Sequence, residues 1–133
     1  MNAQDFQKNS FQDLQVLVIG DAMIDRYYYG RIERMSPEAE VPIVDVDKIE
    51  NRLGGAANVA LNISSLGAKA HLMTIVGNDE EALLFKQLLN EAGICNNLVE
   101  ANRRTTIKTR IYENNKYVLR YDIEDTYDLE EEA

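Results

Sequence analysis

The sequence predicts an α/β domain built around a parallel sheet, and three observations carry that prediction. Two short apolar runs without alternation, LQVLVIG at 14–20 and AHLMTIVG at 70–77, read as buried strands, the first of them buried on both faces. Two longer stretches with apolar residues at helical spacing, about 56–66 and 78–93, close on Gly67 and Gly93 in the helix-ending role. Strand, helix, strand, helix in alternation is the pattern of parallel βαβ units. With 133 residues, 45% of them hydrophobic, the chain can bury one core.

Taken in order, the polar start MNAQDFQKNSFQD (1–13) has neither the basic flank nor the apolar centre of a signal peptide, and is expected to be flexible. The first strand ends in Gly20 and is followed by DAMIDRYYYG, an insertion assigned to no element. In VPIVDVDKI, the residues Val41, Ile43, Val44 and Val46 predict one or two exposed strands, before the double glycine Gly54–Gly55 and the first helix. The second helix, NDEEALLFKQLLNEAG, has Asp79 placed to cap its start and Glu80 and Glu81 against its positive end. NNLVEA reads as a third strand. TTIKTRIYENNKYVLRYDIE alternates on both sides of Asn114 and Asn115, the signature of a hairpin with a tight turn. Ile107, Thr109 and Ile111 face one way in that hairpin, and Lys108, Arg110 and Tyr112 the other. The acidic end, 125–133, is expected to be frayed or solvated.

A formal net charge of −9 argues against nucleic acid or an anionic membrane as partner, since both call for clustered Lys and Arg. Any anion the chain binds must therefore be met by a local basic group. No stretch approaches the roughly 20 apolar residues of a membrane span, so the expected location is cytoplasmic. Cys95 is alone, which excludes an internal disulfide, fits a reducing compartment and predicts a small core residue. His71 is also alone, without a cluster at metal-ligand spacing, and reads as structural.

The stretch LGGAANVALNISSLGA raises the question of why a helix should follow two glycines. In parallel α/β sheets the ligand crevice lies beyond the carboxyl ends of the strands, so Asp21, Asp25 and the glycines are expected to share one crevice. Gly54 and Gly55 let a ligand approach the main chain, the helix start offers free N–H groups, and the Asn58 amide both donates and accepts. Carboxylate, carboxamide and backbone together suit a polyhydroxylated ligand. The plainer alternative stays open: a tight turn at the glycines, a turn cap at Asp21, a backbone partner at Asn58. Neither a G-x-G-x-x-G fingerprint after the first strand nor a phosphate-binding G-x-x-x-x-G-K-[ST] loop is present.

GGAANVALNISSLGAKAHLMTIVG resembles the N-terminal signature of the ribokinase-like (PfkB) carbohydrate kinases: paired small residues, an Asn, a small residue, then glycines at two fixed spacings. Here those positions are Gly54, Gly55, Asn58, Ala60, Gly67 and Gly77. The stretch from Val16 to Ala60 is more similar still to the heptose 7-phosphate kinase branch, a domain also found as the first part of bifunctional ADP-heptose synthases. The resemblance runs from about Leu14 to Glu124.

It implies the N-terminal part of a ribokinase-like three-layer fold, with a parallel-rich central sheet and a small β-lid formed by segments about 27–52 and 105–121. The implied activity is transfer of the γ-phosphoryl of ATP, with Mg²⁺, to the anomeric hydroxyl of D-glycero-β-D-manno-heptose 7-phosphate, on the route to lipopolysaccharide precursors. Asp25 is then expected to hold sugar hydroxyls, with Gly54, Gly55 and Asn58 closing the pocket and Asp21 beside it. A sugar phosphate needs a cation, for which Arg110, Lys108 and Arg120 are the candidates and Arg26, Arg31 and Arg34 the rivals. The lid of this family often forms a dimer contact, so a homodimer is expected, and an uncovered apolar sheet edge would add to self-association. The family's G-A-G-D-type stretch, which supplies the catalytic base and an anion hole beside the ATP site, has no counterpart in this sequence. These 133 residues are therefore expected to hold sugar-binding elements, to bind no ATP or Mg²⁺ alone, and not to catalyse alone. The alternatives are another sugar or nucleoside kinase of the family, or a noncatalytic sugar-binding and dimerising module.

Overall fold

The computed structural model describes residues 11–127. The rest of the N-terminal segment and the acidic end from 128 onward lie outside the described residues. Among the described residues nine elements follow in order: β1 (Gln15–Ile19), β2 (Ala22–Met35), β3 (Pro42–Gly55), α1 (Ala56–Ser65), β4 (Lys69–Val76), α2 (Glu80–Glu91), β5 (Cys95–Glu100), β6 (Ile107–Glu113) and β7 (Lys116–Ile123). They make two sheets. The first is parallel, in the order β1-β4-β5. The second is mixed, in the order β3-β2-β6-β7, with β2 and β6 parallel and the outer pairs antiparallel.

One core joins both sheets. Ala70, Leu72 and Val76 of β4 meet Ala57 and Ala60 of α1 and Phe85 and Leu89 of α2, and Ile24, Leu53 and Ile107 enter the same cluster from the second sheet. Phe85 and Leu89 are almost fully buried, each stabilising the fold by about 1.5–3 kcal/mol of transfer free energy.

The expectation that β1 is buried on both faces is corrected. Val16 and Val18 are half-buried, whereas Leu17 is 53% and Ile19 68% exposed. β4 alternates too, burying Ala70, Leu72, Thr74 and Val76 while Met73 is exposed. The physical reason is that the two helices share their core with one face of the parallel sheet, so the described residues make two of the three layers expected. Cys95 pairs in register with His71 on the open face and is half-buried, not a core residue. His71 Nε2 lies 3.2 Å from Gln15 Oε1, a structural contact.

The insertion after β1, assigned to no element from its sequence, is the 14-residue strand β2, and the one or two exposed strands expected before the double glycine are the single 14-residue strand β3. The hairpin β6–β7 is as expected: Asn114 and Asn115 both have positive φ, 46° and 65°, as a two-residue turn requires.

Both stems of this hairpin are tied down. Asp79 caps α2 by accepting from the Ala82 amide at 2.9 Å, and it also accepts from the Thr105 amide at 2.8 Å and hydroxyl at 2.6 Å. Gly77 N–H donates to that hydroxyl at 2.9 Å. Burial alone would raise the Asp79 pKa, but the hydrogen bonds from Thr105 and Ala82 outweigh it and hold the carboxyl below its ordinary value. On the exit side, Arg104 pairs with Asp125 at 2.6 Å, Arg103 donates to the Asp125 carbonyl, and Tyr127 donates to the Asn102 carbonyl at 2.8 Å. Residues 125–127, expected to be frayed, are docked by these contacts. Among the described residues, no helix is long and apolar enough to cross a membrane.

Candidate functional site

Strand alternation places Met23, Asp25, Tyr27 and Tyr29 of β2 on one face of the second sheet. Their neighbours on that face come from register: Gly54 lies opposite Met23, Arg52 opposite Asp25, and Lys108 opposite Asp25 on the other side. The Asp25 carboxylate accepts from Arg110 Nη1 at 2.6 Å, both side chains being about four-fifths buried. The bond from Asp25 raises the Arg110 pKa further above its ordinary value, against a smaller lowering by burial.

The double glycine has two separate causes. A Cβ at Gly54 would lie 2.6 Å from Asp25 Oδ2 and 2.8 Å from Met23 Cγ, so only glycine leaves room for the carboxylate there. Gly55 has φ 57° and ψ −133°, a conformation that L side chains rarely adopt, and a Cβ there would meet the Asp21 carbonyl at 2.5 Å. That same carbonyl accepts from the Ala56 amide at 2.9 Å, which fixes where α1 begins. No side chain caps this helix start. Asn58, exposed in the first turn, joins Asp25, Tyr27, Arg52 and Leu61 in lining a hollow of about 490 Å³.

A family model described as pfkB family carbohydrate kinase matches residues 13–132. The chain belongs to the pfkB carbohydrate kinase family. Among curated relatives, the Bifunctional protein HldE of Pseudomonas savastanoi pv. phaseolicola is 46% identical over 121 residues, 90% of this chain and 26% of that protein. The pfkB chain therefore spans about a quarter of the length of that relative. Among solved structures, a carbohydrate kinase from Agrobacterium tumefaciens is similar with a TM-score of 0.66 and 26% identity, over 82% of this chain and 35% of that one. A ribokinase from Thermotoga maritima shares the fold with a TM-score of 0.56 at 18% identity, over 84% of this chain and 36% of that one.

In this pfkB chain the expected single crevice is two hollows. Asp21 lines a second one, of about 570 Å³, with Met23, Lys108, Arg103, Glu124 and Tyr127. The separation has a physical reason: β2 begins directly at Ala22 and carries Asp25 several residues away along an extended strand. The basic candidates also divide. Arg110 stands at Asp25, whereas Lys108 is drawn to Asp122 and Glu124 at 3.6 and 3.4 Å. Arg120 bonds Asp122 at 2.7 Å and lines neither hollow, and its bond, followed by the Lys108 charge, holds Asp122 below the ordinary carboxylate range.

Of the rivals, Arg26 lies on the opposite face with Asn51 and Glu81, Arg31 pairs with Asp47 at 3.1 Å, and Arg34 is exposed. Arg52 and Tyr27 were missed as site residues, although a period of two from Gly54 places Arg52 on the same face. Among the described residues no group of three His, Cys, Asp or Glu side chains gathers to hold a metal ion.

Proposed function

We propose that this chain forms the sugar-binding part of an ATP-dependent kinase that phosphorylates the anomeric hydroxyl of a heptose 7-phosphate. The observation that carries the reading is the Asp25 carboxylate, set over Gly54 in the wall of a hollow shared with Asn58. An ionised carboxylate accepts hydrogen bonds from two neighbouring sugar hydroxyls, and the Asn58 amide both donates and accepts. Arg110 fixes the rotamer of Asp25, so the acceptor is oriented before the sugar arrives. Gly54 leaves room for the Asp25 carboxylate, and Lys108 and Asp21 extend a polar wall in the neighbouring hollow.

The second sheet acts as the lid in this reading, and its other face supports a homodimer. Ile49, Leu119 and Tyr121 are 55%, 55% and 41% exposed there. They stand in register with Tyr28, Ile111 and Thr109, which places them opposite in direction to Asp25. An apolar lid face of this kind is suited to a second copy of the chain.

Calorimetric competition among heptose 7-phosphate, ribose and fructose tests the substrate class. Tightest binding of the heptose phosphate supports the reading. Preference for an unphosphorylated pentose or ketohexose would assign the chain to a different sugar kinase of the family.

A further inference from the structure

We infer that Arg52, braced on the Tyr27 ring beside Arg110, forms the anion subsite of this pocket and takes the phosphate of a phosphorylated sugar. The inference rests on the sugar-binding reading above and adds a residue to it. Arg52 lies directly across the sheet from Asp25 and lines the same hollow as Asp25 and Asn58. Its side chain is 53% exposed, yet its orientation is fixed from two directions. Nε donates to Glu50 at 2.7 Å, and the guanidinium carbon stands 4.6 Å from the Tyr27 ring centroid. Among the described residues neither Nη group of Arg52 makes a hydrogen bond, so the fork suited to two phosphate oxygens is free.

The other cations near the pocket are committed. Arg110 also stands over Tyr27, at 5.4 Å, but gives Nη1 to Asp25. Lys108 is held between Asp122 and Glu124, and Arg120 is held by Asp122. Around the hollow, Arg52, Arg110 and Lys48 stand with Asp25, Glu50 and Glu91, three cations among three carboxylates. In a chain of formal charge −9, an oriented guanidinium with a free fork at this hollow is the group an anion would meet. Tyr27, Tyr29 and Tyr112 stack at 5.6–6.2 Å, giving the sheet beneath the guanidinium groups a stiff aromatic surface.

The test is calorimetric titration of the chain and of its Arg52→Gln variant with heptose 7-phosphate and with the unphosphorylated heptose. The expected result is that the chain prefers the phosphorylated sugar by about ten- to a hundredfold. Arg52→Gln, shown by circular dichroism to be folded, is expected to lose most of that preference, read as the ratio of its affinities for the two sugars. Arg52→Lys keeps the charge without the fork and should retain only part of the preference. A full preference surviving in Arg52→Gln, or equal binding of the two sugars by the unaltered chain, overturns the subsite and leaves the sugar site standing. Failure of the unaltered chain to bind either sugar overturns both.

Discussion

Gly54→Ala places a methyl group where the Asp25 carboxylate stands. The added carbon would lie 2.6 Å from Oδ2 and 2.9 Å from Cγ of Asp25, against ordinary contact beginning at 3.4 Å, so the carboxylate must retreat by about 0.8 Å. It cannot do so freely, because Oδ1 is held by Arg110 at 2.6 Å. Met23 Cγ, at 2.8 Å, belongs to a flexible side chain and yields more easily. Overpacking of this kind costs about 1–3 kcal/mol, offset by about 0.4–1 kcal/mol from the stiffer unfolded chain that Ala gives. Urea unfolding of the single variants and of the Asp25→Ala, Gly54→Ala pair measures the coupling. In the Asp25→Ala background two of the three clashing atoms are gone, and the cost of Gly54→Ala is expected to fall by about 1 kcal/mol or more. A cost unchanged within about 0.5 kcal/mol would refute the steric reading of Gly54 and leave it a turn glycine.

Asp79→Ala removes the cap of α2 and the acceptor for the Thr105 amide, and is expected to cost about 2 kcal/mol or more in urea unfolding. Because its folded pKa is lowered, Asp79 contributes fully above the ordinary value of 3.8 and loses that contribution as pH falls through the folded pKa. The stability gap between the unaltered chain and Asp79→Asn should therefore narrow when unfolding is measured below about pH 4, and be constant above about pH 6. Thr109 is 1% exposed and its hydroxyl has no hydrogen-bond partner, so Thr109→Val is expected to raise stability by about 1 kcal/mol, read as a higher urea midpoint.

What could be read from the sequence follows from how local the determinant is. Asn114 and Asn115 tolerate positive φ, and their turn was legible because both flanking runs alternate. Asp79 was legible as a cap because its bond to Ala82 spans three residues. β2 was not legible, since DRYYYG carries polar and aromatic residues on both faces of its strand and shows no alternation of hydrophobicity. The apolar run of β1 suggested two buried faces, but whether a face is covered depends on what packs against it, and both helices share their core with the same side. At the site, Asp25 was expected from its place after the first strand and from the resemblance, and Gly54 and Asn58 from motif spacing. The parting of Asp21 from Asp25 and the choice among cations depend on register between distant strands, which no local pattern encodes.

The proposed function makes Asp25 the sugar-binding carboxylate of a pocket preformed in this chain. Calorimetric titration with heptose 7-phosphate, on the chain and on Asp25→Ala shown by circular dichroism to be folded, tests it most directly. Saturable binding that weakens at least about tenfold in the variant is the predicted result, since a hydrogen bond to a charged group is worth about 1.5–3 kcal/mol. Equal binding by the two proteins, or no binding by the folded unaltered chain, would contradict it.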